Sequence, residues 1–149
     1  MHSAQTASRR DQYRHFVVVP TRWMDNNVYG HVNNVIYYAY FDMAICHFLL
    51  EAGVDIIDGT ILPFTIENGC RYHRPLSFPQ ALTAGLRVSR IGNSSVRYEI
   101  ALFTDEVDAP AAEGYFIDVF VDRATRHSVI IPPRVSAALA RLALADARR

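Results

Sequence analysis

The sequence predicts an α+β domain in which one antiparallel sheet curves around a single long helix. Three observations carry this prediction. Residues 33–51 are almost continuously apolar, interrupted only by Asp42 and His47 before Glu51. Four segments that follow alternate or cluster apolar side chains as strands do. The connections between them are short, which suits antiparallel neighbours and leaves no room for parallel crossovers. A chain of 149 residues is long enough for one domain with a real core.

Each element has its own signal. Residues 1–12 are polar and Arg-bearing with no apolar signal segment, so they read as a flexible leader before a domain spanning 13–149. Residues 13–23 contain Phe16-Val17-Val18-Val19, a β-branched run expected as the first strand. Asn33 or Asn34 can cap the helix, and Gly53 suits its C-terminal stop. A helix of about twenty residues is roughly 30 Å long. This one is greasy on nearly every face, so it is expected to be wrapped. Residues 64–73 form a second strand, ended by Arg74-Pro75. Leu82, Ala84, Leu86 and Val88 alternate with Thr83, Gly85, Arg87 and Ser89, the period of a half-buried strand. After the Gly92-Asn93 turn, Val96, Tyr98, Ile100 and Leu102 repeat that pattern. Tyr115, Ile117, Val119 and Val121 repeat it again, set against Phe116, Asp118, Phe120 and Asp122. Pro133 fits the first turn of a closing helix with Val135, Ala138, Leu139 and Leu142 on one face. A single sheet leaves part of the long helix bare, and that apolar flank calls for a second copy of the chain.

Composition narrows the function. Fifteen acidic residues balance fifteen basic ones, so the chain lacks the basic excess of a nucleic-acid binder. Every basic residue is Arg, which rules out Schiff-base chemistry on a lysine and leaves Arg as the fixed cation for phosphate or carboxylate. Cys46 and Cys70 have neither CxxC spacing nor a framework pattern, which fits a reducing cytoplasm. The long apolar segment matches a membrane span in length, but Asp42 and His47 inside it are costly in lipid. His15, His31, His47, His73 and His127 show no ligand spacing, so no metal is expected. G-x-S-x-G, H-E-x-x-H and phosphate-loop motifs are absent from the sequence.

Chemistry concentrates just before the long helix, in Asp25-Asn26-Asn27-Val28-Tyr29-Gly30-His31-Val32-Asn33-Asn34. Amide N–H groups at a helix start are unpaired donors at the positive end of the helix dipole. There the N–H groups around Val32, Asn33 and Asn34 can polarise a carbonyl as an oxyanion hole does. Gly30 permits a tight turn and close approach to a ligand. His31 can hold a water or satisfy a turn. The same asparagines also make ordinary helix caps. Tyr37, Tyr38, Tyr40 and Phe41 read as core and dimer packing, with Tyr37 nearest the entrance.

This segment, with Tyr37-Tyr38 after it, resembles the signature of hotdog-fold acyl-CoA thioesterases, in the 4-hydroxybenzoyl-CoA thioesterase-like group. Asp25, Gly30, His31, Val32, Asn33, Asn34 and Tyr37 all fall in register with D-x-D-x-x-G-H-V-N-N-x-x-Y. The resemblance implies a five- or six-stranded antiparallel sheet around a central helix, paired into dimers or dimers of dimers. It implies hydrolysis of an acyl-CoA thioester without a metal or redox cofactor, coenzyme A being part of the substrate. Catalytic roles would fall to Asn27, Asp25, His31 and Asn34, and substrate contacts to Gly30, Val32, Asn33, Tyr37, Ser95, Arg74 and Arg90. Ser95 follows the Gly92-Asn93 turn, where the family often has a serine. Arg74 and Arg90 could meet coenzyme A phosphates, as could Arg71, Arg87 and Arg97.

One departure matters. The family's second Asp, its usual nucleophile or general base, falls on Asn27. An amide neither accepts a proton at ordinary pH nor forms an acyl anhydride. Three explanations stay open: an introduced, substrate-trapping change; a natural residue that positions water while another carboxylate moves the proton; or acyl-CoA binding without hydrolysis. Asp25 is the nearest carboxylate, since residues two apart on an extended segment face the same side. Asp42 and Glu67 come next, within reach across a dimer.

Overall fold

The expected strands pair into one five-stranded antiparallel sheet in a computed structural model that describes residues 7–105 and 107–147. The strands are β1 (His15–Pro20), β2 (Ile61–Tyr72), β3 (Ala81–Ile91), β4 (Ser95–Thr104) and β5 (Ala112–Asp122). Their spatial order is β1-β3-β4-β5-β2. The long helix α1 (Ile36–Glu51) lies between β1 and β2 in the chain, and α2 (Pro133–Leu142) follows β5. A hairpin turn at Gly92-Asn93 joins β3 to β4, with Gly92 N–H donating to the Ser95 carbonyl at 2.8 Å.

α1 buries Tyr37, Tyr40, Phe41, Ala44, Ile45, Phe48 and Leu49, a stripe spaced three and four residues apart. Leu82, Leu86, Val88, Tyr98, Ile100, Leu102, Phe116 and Phe120 meet it from the sheet. The helix is therefore covered on one side, less completely than its composition predicts. A sheet can follow only one flank of a cylinder, so Ala39, Asp42, Met43 and Leu50 stay exposed. The N-cap of α1 is Val35, one or two residues after the expected Asn33 or Asn34, because residues 33–36 first close a turn of their own, with Ile36 N–H donating to the Asn33 carbonyl at 2.9 Å. Gly53 ends it as predicted, at φ 86°. Val54 N–H donates to the Leu49 carbonyl and Gly53 N–H to that of Leu50, the Schellman pattern a left-handed residue permits. Val135, Ala138, Leu139 and Leu142 form the buried face of α2.

Two further expectations are corrected. In β5 the inward residues are Phe116, Asp118 and Phe120, the opposite phase from Tyr115, Ile117 and Val119. Both phases are largely apolar, and burying two phenyl rings outweighs admitting one carboxylate. The leader is not loose where it is described. Residues 1–6 lie outside the described residues, but Ser8 Oγ donates to Glu113 at 2.6 Å and contacts the Tyr13 hydroxyl at 2.8 Å. Arg10 N–H donates to the Asp108 carbonyl at 3.0 Å. Among the described residues no helix is long and apolar enough to cross a membrane.

Candidate active site at the start of α1

After β1 the chain makes a single 3-10 turn (Trp23–Asp25) and then a miniature hairpin. Asn26 and Val32 bridge in antiparallel fashion, and Asn27 N–H donates to the His31 carbonyl at 2.8 Å. Gly30 N–H closes back on the Asn27 carbonyl at 3.1 Å, and Gly30 adopts φ 81°. A three-residue hairpin loop needs a left-handed residue at its last position, which is why glycine stands there. The hairpin is fixed to the segment before β3. Val32 N–H donates to the Leu76 carbonyl at 2.7 Å, and Phe78 N–H to Asn26 Oδ1 at 3.0 Å.

Asp25 is committed to this scaffold. It is 1% exposed. Its Oδ2 accepts the Tyr40 hydroxyl at 2.6 Å and the Arg22 backbone N–H at 2.9 Å. Its Oδ1 accepts Arg22 Nε at 3.2 Å and Nη2 at 3.0 Å. Burial alone would push its carboxyl upward, but the Tyr40 hydrogen bond and the Arg22 contacts together hold it below the usual carboxylate range. A carboxylate already accepting four donors is a weak base toward a water.

Asn27 also has a structural part. Its Oδ1 accepts the Tyr29 N–H at 2.9 Å and the His31 N–H at 3.4 Å, leaving the amide nitrogen as its free end. Asn27 and His31 face each other across the hairpin, and the His31 imidazole is exposed. Asn33 donates its N–H to the Asp25 carbonyl at 2.8 Å, and its Oδ1 accepts Val35 N–H at 3.2 Å. Thus the Val32 and Asn33 amides, expected to face a ligand, are satisfied internally. Among the described residues no acceptor meets the Asn34 N–H.

Tyr37 is buried in the first turn of α1 and packs edge-on against Tyr72, with ring centroids 4.8 Å apart. Burial pushes its hydroxyl up, opposed by a hydrogen bond from the Leu76 backbone. The Tyr72 hydroxyl donates to the Asn34 carbonyl at 3.0 Å, tying the end of β2 to the helix start. Tyr72, Arg22 and Tyr40 carry no signal of a site role in the sequence, since their roles depend on contacts the fold creates. Arg74 lies at the same end of the sheet, bonded to the Ala109 carbonyl at 3.0 Å and to Thr104 Oγ1 at 2.9 Å.

Ser95 and Arg90 are not brought to this cluster. Register places Ala81 beside Pro20, where the motif loop begins, and Ile91 beside Val96 at the other end. Nine residues of strand separate Ala81 from Arg90, roughly 30 Å at 3.3 Å per residue. Arg87 and Arg97 are also engaged, both paired to Glu99 and stacked over Tyr13 and Tyr115 respectively.

The profile of the Thioesterase-like superfamily matches residues 19–139. The PA5185 protein of Pseudomonas aeruginosa is 45% identical, superposes with a TM-score of 0.92, and is matched over 94% of this chain and 99% of its own. The PA2801 protein of the same organism, provisionally assigned as a thioesterase, is 30% identical, with a TM-score of 0.81 over 85% of this chain and 98% of its own. A 1,4-dihydroxy-2-naphthoyl-CoA thioesterase from Synechocystis shares the fold alone, at 13% identity and a TM-score of 0.76 over 84% of this chain and 94% of its own. No curated protein matches the chain. With most of its length matched by the profile and its sheet and helix superposed on these relatives, the chain belongs to the hotdog-fold Thioesterase-like superfamily.

Proposed function

We propose that this protein hydrolyses acyl-CoA thioesters at the start of α1, with the thioester carbonyl accepting the Asn34 N–H. The observation that carries this reading is that unanswered amide, at the positive end of a sixteen-residue helix. Asn27, through its free amide nitrogen, orients the attacking water. His31 takes the proton, because the other polar side chains of the hairpin are the amides of Asn26 and Asn27, the Tyr29 phenol, a proton donor and not a base, and Asp25, already paired. The reaction needs no metal or redox cofactor.

Two copies complete the site. β2 is an edge strand of twelve residues paired only with β5, and Ile66 on it is 65% exposed. Next to the site, Val28 is 94% exposed and Tyr29 81%. Pairing β2 with its copy covers the edge and brings the far end of the partner's sheet, where Ser95 and Arg90 lie, toward the hairpin.

Thiol release from a panel of acyl-CoAs tests the reading. His31→Ala is expected to lower kcat/KM on the order of 10²- to 10⁴-fold. Asn27→Asp keeps an acceptor for Tyr29 and His31 N–H, so the loop holds, and it is expected to raise the rate. The Asn27 amide favours a second reading, acyl-CoA binding without hydrolysis. Acyl-CoA binding with no thiol release from the unaltered chain would establish that reading and overturn the first.

A further inference from the structure

The last turns of α1 and the first residue of β1 bring together three side chains that the thioester site does not use. His47 and Glu51 lie one turn apart on the helix, and His15 reaches them from the edge strand. His47 Nε2 is 3.7 Å from Glu51 Oε1, and His15 Nε2 is 4.0 Å from Glu51 Oε2. Both gaps exceed hydrogen-bond length. The three ligand atoms nevertheless lie within 4.8 Å of one another. His15 Nε2 is buried and has no hydrogen-bond partner. Its ring is held edge-on against Phe48 at 5.6 Å and tilted against His47 at 5.7 Å. A buried imidazole nitrogen without a partner is costly to leave unsatisfied.

We propose that His15, His47 and Glu51 form a binding site for a divalent transition metal, with Zn²⁺ as the fitting ion. Two imidazoles and one carboxylate are borderline-hard donors of the kind zinc takes, with a water as fourth ligand. Zinc bonds of about 2.0–2.1 Å in a tetrahedron set ligand atoms roughly 3.4 Å apart. Rotation of the exposed Glu51 side chain closes the two gaps to it, and the half-exposed His47 ring can turn to close the rest, all within 4.8 Å. Along the chain the histidines show no ligand pattern because His15 and His47 sit on different elements. The site lies about 16 Å along α1 from its start, at 1.5 Å per residue. The ion therefore clamps β1 onto the end of the helix and takes no part in the thioester chemistry.

Titration of the metal-free full chain with Zn²⁺, by calorimetry and equilibrium dialysis, tests this. His47→Ala and Glu51→Gln change exposed side chains, and their melting without metal reports that the fold is kept. The intact chain is expected to bind one Zn²⁺, with affinity at least ~10-fold weaker in either variant. Its Tm should rise with added Zn²⁺, and the variants' Tm should not. Co²⁺ should give the visible absorption of a tetrahedral site in the intact chain only. Equal Zn²⁺ affinity in all three proteins, or none in the intact chain, would overturn the proposal.

Discussion

Two buried carboxylates show how much a residue's surroundings decide. Asp25 is fully paired, so removing it strands its partners. Asp25→Ala leaves the buried Tyr40 hydroxyl without an acceptor and is expected to cost about 1–3 kcal/mol. Urea denaturation reads this, and Tyr40→Phe in the same background should recover part of the loss. Because its carboxyl titrates below the ordinary value, Asp25 contributes stability above about pH 4 that is lost as pH falls further. Asp118 has the opposite sign. It is 4% exposed among the rings of β5, and its carboxyl is pushed up to about 6. Burial is the main cause and the nearby Asp42 charge adds to it, while the Thr65 hydroxyl, donating at 2.8 Å, opposes both. Stability is thus lost as pH rises from about 4 through about 6, a cost of about 3 kcal/mol once the charge is carried. Asp118→Asn keeps the Thr65 contact without the charge. It should be more stable than the parent near about pH 8, by up to that amount, and equal to it below about pH 4. Melting across that range checks it.

Among the elements, β2 and α1 offer the surfaces on which the proposed assembly rests. β2 has a free edge, a bulge between Thr65 and Glu67, and an exposed Ile66 at that bulge. Long edge strands are covered or blunted in stable proteins, and nothing among the described residues covers this one. Ile66→Lys is expected to shift the protein toward monomer in analytical ultracentrifugation. Thiol release should fall with it, because the hairpin then loses its partner. A variant that sediments like the parent would remove β2 from the interface. The bare face of α1, with Ala39, Met43 and Leu50, is a second surface that pairing can shield.

Over the whole molecule, most of the architecture was legible because it depends on local pattern. The alternation in β3 and β4 shows which side chains face inward, and Pro133 and Gly53 mark helix ends through their own backbone preferences. β5 was misread because both of its phases are apolar, so its register is set by β4 and β2 and not by its own pattern. The motif loop was found as a segment, since Gly30, His31 and the asparagines are contiguous. Its division of labour was not legible, because it depends on Tyr40, Leu76 and Tyr72, which reach the loop from other elements. The same holds for the His15, His47 and Glu51 cluster. By itself the sequence determined the element order, the antiparallel sheet, the helix to be buried and the segment that carries the candidate site. Only the tertiary structure decided that Asp25 is a strut, that the Asn34 amide is left open, and that Ser95 and Arg90 lie at the far end. The physical reason is that propensity and periodicity act between near neighbours, whereas hydrogen-bond partners and desolvation are set by whichever groups the fold brings into contact.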